Sequence, residues 1–176
     1  MEKQGRIHRN NRGFSLMELL VVVGLIGIIS LVAFPMISRT IPKYRLRSVV
    51  RQLVIDFKQA RLEAVKRNRD VLIVFTPETT ASEGGSYQVC ADADEDDTCD
   101  SGEVLKTVTM PKQVLLYTTN FGGDDTGYDF RGIPLETGRV EIRDSGDTHR
   151  YALVVGSAGS VRLESSTDGG TTWSAY

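Results

Sequence analysis

A lone carboxylate, Glu18, stands at the head of a long apolar run, four residues after Phe14 and five after Gly13. In a membrane-length helix such a group costs roughly 2.5–3.5 kcal/mol to insert, so it calls for a compensating cation. A free chain end would supply one. Cleavage between Gly13 and Phe14 leaves a charged amine on Phe14, and pairing with Glu18 of a neighbouring chain would offset both desolvation costs and fix the axial stagger of packed helices. The chemistry this spacing suggests is processing and assembly.

A second cluster of oxygen donors lies further along. Counting from Asp92, donors fall at Asp92, Asp94, Asp96, Thr98, Asp100 and Glu103, which are positions 1, 3, 5, 7, 9 and 12, the ligand spacing of an EF-hand-type calcium loop. Two features depart from that pattern: Asp97 occupies the sixth position, where the sharp turn calls for glycine, and a strand rather than a helix follows. A calcium ion here would be structural; the competing reading is a solvated acidic loop. Cys90 and Cys99 bracket the same stretch. Two cysteines alone do not make a zinc site; they pair as a disulfide in an oxidising compartment and stay as two thiols in a reducing one. Ser166-Thr167-Asp168-Gly169-Gly170-Thr171-Thr172-Trp173 has the S-x-D-x-G-x-T-W pattern of an Asp-box hairpin, a turn device rather than a glycosidase. His8 and His149 stand alone, and neither a phosphate-cradling glycine loop before a helix nor an H-E-x-x-H run occurs. The expectation is a protein that is not an enzyme and requires no cofactor.

The elements that must position these groups follow from charge and periodicity. The chain has 176 residues, 40% hydrophobic and 25% charged, with a formal charge of −2, a composition with room for one globular core. That near-neutral total hides a segregation: +3 over 1–13, a single charge over 14–38, ten Lys/Arg against two acids over 39–69, and seven against nineteen over 70–176. Leu19 to Ser38 is uncharged and, as a helix, covers ~30 Å, the hydrocarbon thickness of a bilayer. It is too long for a secretory signal peptide and lacks the small-residue cleavage site. The flanking Lys/Arg are balanced on the two sides, so the positive-inside rule does not orient the span.

Leu46, Val50, Leu53, Phe57, Ala60 and Ala64 then recur at spacings of three and four, an amphipathic stripe. Arg45, Arg47, Arg51, Lys58, Arg61 and Lys66 lie off it, a solvated face suited to anionic lipid or to an acidic neighbour. The predicted helix runs from about Phe14 to Asn68. Beyond residue 70, short β-rich runs at 71–76, 86–91, 103–110, 113–119, 139–143, 150–156, 160–165 and 172–176 are separated by Gly84-Gly85, Gly122-Gly123, Ser145-Gly146-Asp147 and Ala158-Gly159 turns. Antiparallel sheets packed on the helix are expected.

Two segments carry a family resemblance. Gly13-Phe14-Ser15-Leu16-Met17-Glu18-Leu19 resembles the leader junction of type IV pilins and type II secretion pseudopilins. Ala60-Arg61-Leu62-Glu63-Ala64-Val65-Lys66-Arg67-Asn68-Arg69-Asp70-Val71 resembles the end of the first helix in the GspH/FimT branch, with weaker likeness at Phe130-Arg131-Gly132-Ile133-Pro134 and over 154–162. The resemblance implies an α+β pilin-like fold: a cleaved leader at 1–13, a transmembrane and assembly half-helix at 14–38, an amphipathic periplasmic half at 39–69, and a β-rich periplasmic head at 70–176. It implies that prepilin peptidase cuts after Gly13 and N-methylates Phe14, and that Glu18 aligns the next subunit through its amine. Pro35 then sits where relatives carry a helix-loosening proline. It places the protein in the bacterial inner membrane, single-pass, where the periplasm would oxidise Cys90–Cys99. The implied partners are other minor and major pseudopilins or pilins, the inner-membrane assembly platform and inner-membrane lipid. The function it implies is a minor pseudopilin at the tip or initiation complex of a type II secretion pseudopilus; the alternative is a minor pilin of a type IV pilus, with a role in DNA uptake. DNA-binding relatives carry Gly-Arg-x-Arg late in the head. Here Gly159-Ser160-Val161-Arg162 has Ser160 in place of the first arginine, and the acidic head repels polyanions, so DNA is not an expected partner.

Overall fold

The computed structural model describes residues 14–81 and 83–176, with the side chains of 32–40 outside the description. The chain divides into two compact units, Met1–Arg39 and Thr40–Tyr176. One long helix, α1 (Leu16–Arg67), contributes to both.

In the first unit α1 begins inside the junction motif, two residues after Phe14, with the Leu19 amide donating to the Ser15 carbonyl at 3.1 Å. Every described large apolar residue from Leu16 to Leu31 is exposed. The helix runs through Pro35. Among the described residues no helix is long and apolar enough to cross a membrane; the expected span continues into 32–38, whose side chains lie outside the description.

In the second unit the stripe read from the sequence is the buried one: Leu46, Val50, Leu53, Phe57, Ala60 and Ala64 are all at most 2% exposed, with Val49 beside them. The helix ends where expected, and the mechanism is visible. Asn68 takes a left-handed conformation (φ 52), and the Arg69 amide returns to the Ala64 carbonyl at 3.3 Å, the bond of a Schellman cap. Val71 can then enter the first strand directly.

Nine strands follow among the described residues: β1 (Val71–Thr76), β2 (Ser86–Ala91), β3 (Val104–Thr109), β4 (Val114–Thr119), β5 (Asp125–Tyr128), β6 (Gly138–Asp144), β7 (Arg150–Val155), β8 (Val161–Ser166) and β9 (Ser174–Ala175). They form a four-stranded sheet in the order β3-β2-β1-β5 and a five-stranded sheet in the order β4-β6-β7-β8-β9, antiparallel throughout. Side chains from α1 and from both sheets meet in one core. Phe57 is its hub, stacked on Phe75 at 6.3 Å and edge-on to Tyr128 at 6.4 Å between ring centroids. Burying a side chain of this size contributes roughly 1.5–3 kcal/mol.

Three local expectations need correction. β5 was not expected: Asp125 and Gly127 are poor strand formers, but the strand is set by long-range fit. Gly127 faces Leu72 on β1, and a Cβ there would overlap the Val71 carbonyl oxygen, so only glycine lets the two strands close. At 145–147 it is Asp147 (φ 51) that takes the left-handed conformation, and Gly146 does not. The last strand shrinks to Ser174–Ala175, because the preceding residues are spent on the hairpin turn described below.

Candidate functional site

At the junction motif, Phe14 is 82% exposed and Glu18 lies in the first turn of α1, where a carboxylate complements the partial positive charge of the helix end. Ser15-x-x-Glu18 also has the spacing of a capping box, and the Ser15 carbonyl closes the first turn by accepting from the Leu19 amide. The leader 1–13, including Gly13, lies outside the described residues, as does the side chain of Pro35.

The family-like segments of the head converge on one side chain. Arg61, from the helix, packs between two tight loops. A Cβ on Gly132 would stand 3.1 Å from its Nε and 3.3 Å from Val65 Cγ2, and one on Gly159 would stand 3.3 Å from its Cζ. Both glycines have positive φ (78 and 74). The guanidinium lies 6.0 Å from the centroid of the Tyr128 ring. One loop is closed by Asp129, whose carboxylate accepts from the amides of Arg131 and Ile133 at 2.9 and 2.8 Å and from Arg131 Nε at 2.9 Å. The other is closed by a Gly159-to-Gly156 backbone bond of 2.8 Å. These loops clasp the outer end of α1 to both sheets, which is a structural use of Ala60-Arg61, of Phe130–Pro134 and of the 154–162 pattern.

The model of the family described as type II transport protein GspH matches residues 49–159, a stretch that includes Arg61, Gly132 and Gly159. This chain belongs to the GspH family. The prokaryotic N-terminal methylation motif matches residues 8–34. A relative, the pilin-like protein PilA1 of Thermus thermophilus, is 31% identical over 163 residues, covering 87% of this chain and 98% of its own. No solved structure matches. The α+β head on a long N-terminal helix is the pilin-like fold, the family is one of structural pilin-type subunits, and the methylation motif is that of membrane-anchored subunits processed by prepilin peptidase.

Within this GspH-family head, Cys90 and Cys99 form a disulfide with a Cα–Cα distance of 5.7 Å. It pins the acidic loop to β2. Carboxylate oxygens of Asp92, Asp94 and Asp96 lie within 4.8 Å of one another, so half of the expected ligand set is brought together. Asp100 and Glu103 are not in that group, and Asp92 itself accepts from the Glu95 and Asp97 amides at 2.7 and 3.2 Å. Thr98 donates to Asp96 through its amide (2.9 Å) and hydroxyl (2.6 Å), and Glu103 accepts from the Ala93 and Asp100 amides. Asp100 therefore meets the loop through its amide. The non-glycine sixth position is accommodated by a left-handed Asp97 (φ 60). Burial, together with the charges of Asp96 and Glu103, raises the pKa of Asp94, while the hydrogen bonds from the Thr98 hydroxyl and amide lower that of Asp96.

The S-x-D-x-G-x-T-W segment is a hairpin turn: Asp168 accepts from the Thr171 and Thr172 amides and from the Ser166 and Thr172 hydroxyls. These bonds, led by the one from Ser166, hold its carboxyl far below the usual range. Arg139 lies 5.2 Å over the ring of Trp173. His149 pairs with Asp144 at 3.2 Å.

One polar group escaped sequence reading. Asp56, on the inward side of α1, is 1% exposed. It accepts from Tyr87 Oη (2.6 Å), Lys106 Nζ (2.7 and 2.9 Å) and Gln52 Nε2 (2.8 Å). The only signal was its position three residues after Leu53 and next to Phe57, on the edge of the apolar stripe.

Proposed function

We propose that this protein is a minor pseudopilin of a type II secretion system, held in the inner membrane with its head in the periplasm and incorporated into the tip or initiation complex of a short filament. The observation that carries the reading is the contrast inside α1. Large apolar side chains at nearly every position from Leu16 to Leu31 are about half to four-fifths exposed, a surface that water penalises on all faces and that lipid or neighbouring helices would cover. The GspH match to the head supports secretion as the machine. Phe14 would carry the methylated amine, and Glu18 would receive the amine of the next subunit. Intact mass of the protein taken from its host's membranes tests this: loss of residues 1–13 and one added methyl on Phe14 is the expected result, and a chain still beginning at Met1 removes the assembly role.

A second reading, a minor pilin of a type IV pilus, is favoured by the relative named as pilin-like. Deleting the gene separates them. Loss of exported hydrolases with intact surface fibres supports the secretion filament, and loss of fibres with normal export supports the pilus.

We also propose that the 92–103 loop takes a structural calcium ion through Asp92, Asp94 and Asp96. Millimolar calcium should stabilise the full chain by about 1 kcal/mol, given affinities of about 10⁻⁴–10⁻³ M for extracellular calcium modules. Asp94→Asn should abolish that gain. An unchanged melting temperature with calcium discards the site.

A further inference from the structure

The part of the head nearest Thr40 gathers a surface from three separated places in the sequence. From α1 come half-buried Lys43, exposed Tyr44 and Arg45, and half-buried Arg47. Arg45 Nη1 reaches across to the β3–β4 loop, donating to the Lys112 carbonyl (3.3 Å) and to Gln113 Oε1 (3.2 Å), which holds the exposed Lys112 beside the helix. Arg47 Nε donates to Tyr151 Oη at 3.3 Å, and the C-terminal Tyr176 packs edge-on against Tyr151 at 4.9 Å while remaining 51% exposed. The result is four cations and two exposed phenols set around the Thr40 end of the head, Arg45 and Lys112 on one flank of α1 and Arg47 with Tyr151 and Tyr176 on the other.

Of the carboxylates near it, Asp147 is paired with arginines, while Glu83 keeps its charge. Glu83 accepts from the Gln113 amide, Asp144 pairs with His149, and Asp147 pairs with Arg143 and Arg150. Along the same helix a groove of about 440 Å³ is lined by Tyr44, Arg47, Ser48, Arg51, Gln52 and Ile55. Two guanidiniums, a hydroxyl and an amide beside an aliphatic and a phenol are the donors and walls that fit a phosphodiester headgroup.

We infer that this surface seats the head on anionic phospholipid headgroups, with Tyr44 and Tyr176 at the membrane–water boundary and Lys43, Arg45, Arg47 and Lys112 over the phosphates. The inference rests on the membrane anchoring proposed above. Two arguments select lipid as the occupant. The first is tether length: Tyr44 follows the last residue of the apolar run, Ser38, by six residues, at most about 20 Å of chain, so a chain whose run sits in the bilayer core keeps Tyr44 within reach of the headgroups. The second is composition, because tyrosines interleaved with lysines and arginines are the residue set of membrane interfaces and of contacts with anionic leaflets.

The test uses the full chain reconstituted, at low protein-to-lipid ratio, into phosphatidylcholine vesicles containing about one-third phosphatidylglycerol. One environment-sensitive fluorophore is placed on Pro111→Cys and another, in a separate sample, on Lys66→Cys, about 30 Å further along α1 than Arg47. A headgroup-attached quencher should quench the probe at 111 about fivefold more than the probe at 66. That difference should fall about threefold in pure phosphatidylcholine or in the Arg45→Gln/Lys112→Gln variant, which removes two exposed charges. A chain that does not float with the vesicles overturns the anchoring and this inference together. A chain that floats but shows equal quenching at the two positions overturns the seating alone. Quenching at 111 that is indifferent to phosphatidylglycerol overturns the anionic headgroup as its basis.

Discussion

The two ends of α1 are built from the same kinds of residue and meet opposite fates. Between Leu46 and Ala64 the apolar residues recur every three or four positions and are buried against the sheets; between Leu16 and Leu31 they are nearly continuous and exposed. A stripe has one face to hide, and a single chain can supply the cover. A helix that is apolar all round needs cover on every side, which the described contacts of this chain do not provide. Each half also carries an acid in apolar surroundings. Asp56 finds a phenol, an ammonium and an amide within the chain; for Glu18 the proposed counter-charge is the amine of another subunit. The half read from periodicity alone is the one that folds the head, and the half read from a motif is the one proposed to assemble.

Paired substitutions give the sharpest attack on that contrast. Phe57→Ala removes the hub of the core and should cost about 3–5 kcal/mol, read as a lowered urea midpoint of the full chain in detergent by Trp173 fluorescence. Ile26→Ala, an equally apolar position, should leave the midpoint of the head within about 0.5 kcal/mol. If Ile26→Ala destabilises the head comparably, the two halves are not energetically separate.

The acids form the next pair. Asp56→Ala leaves Lys106 and the Tyr87 hydroxyl without their shared acceptor and should cost about 3 kcal/mol. Glu18→Ala should leave the unfolding of the head unchanged while lowering recovery in the filament fraction about tenfold, the effect of losing a buried ion pair between subunits. Equal incorporation of wild type and Glu18→Ala removes the amine pairing.

How much of this was legible in the sequence depends on how local the determining physics is. The stripe, the Asn68 stop and most of the strands follow from neighbours a few residues apart, and the structure places them within one or two positions of the reading. β5 was invisible because its reason, the close approach of Gly127 to Val71, lies more than fifty residues away. Asp56 was invisible for the same reason: an acid in a basic helix reads as solvated until Tyr87 and Lys106 are brought to it from the sheet. The acidic loop was half legible, since carboxylate spacing predicts convergence but not the backbone amides that compete for Glu103. Phe130–Pro134 and 154–162 could be recognised as patterns, but their shared purpose, gripping Arg61, needed three dimensions.

Alkaline pH probes the buried half without mutation. Burial, with the Asp56 hydrogen bond added, raises the pKa of Tyr87, and burial raises that of Tyr128. For a group whose folded pKa lies above its unfolded value of about 10, stability is complete below that pH and falls as the pH climbs past it, by about 1.4 kcal/mol per pH unit per tyrosine. Urea midpoints should therefore be flat with respect to these groups up to about pH 10 and fall steeply above it. Tyr87→Phe should halve the slope contributed by the pair, at the expense of about 1 kcal/mol at neutral pH.

Glycine substitutions give the smallest effects and the most direct test of which half is already packed. Gly159→Ala places a methyl 3.3 Å from Arg61 at a φ of 74, and should destabilise the head by about 1–2 kcal/mol. Gly24 and Gly27 lie in the exposed half, where an added Cβ meets nothing within 4 Å. In the isolated chain Gly24→Ala or Gly27→Ala should strengthen the helix by up to about 1 kcal/mol. In the filament the same methyls would stand between helices that glycine lets approach closely, so incorporation should drop although the single chain has gained helix stability. That opposition of sign is specific to a surface that is free in the chain and covered in the assembly. Raised helicity with unchanged incorporation would mean that neighbouring helices do not pack through these two positions, and the cover for this half of α1 would then be sought in lipid.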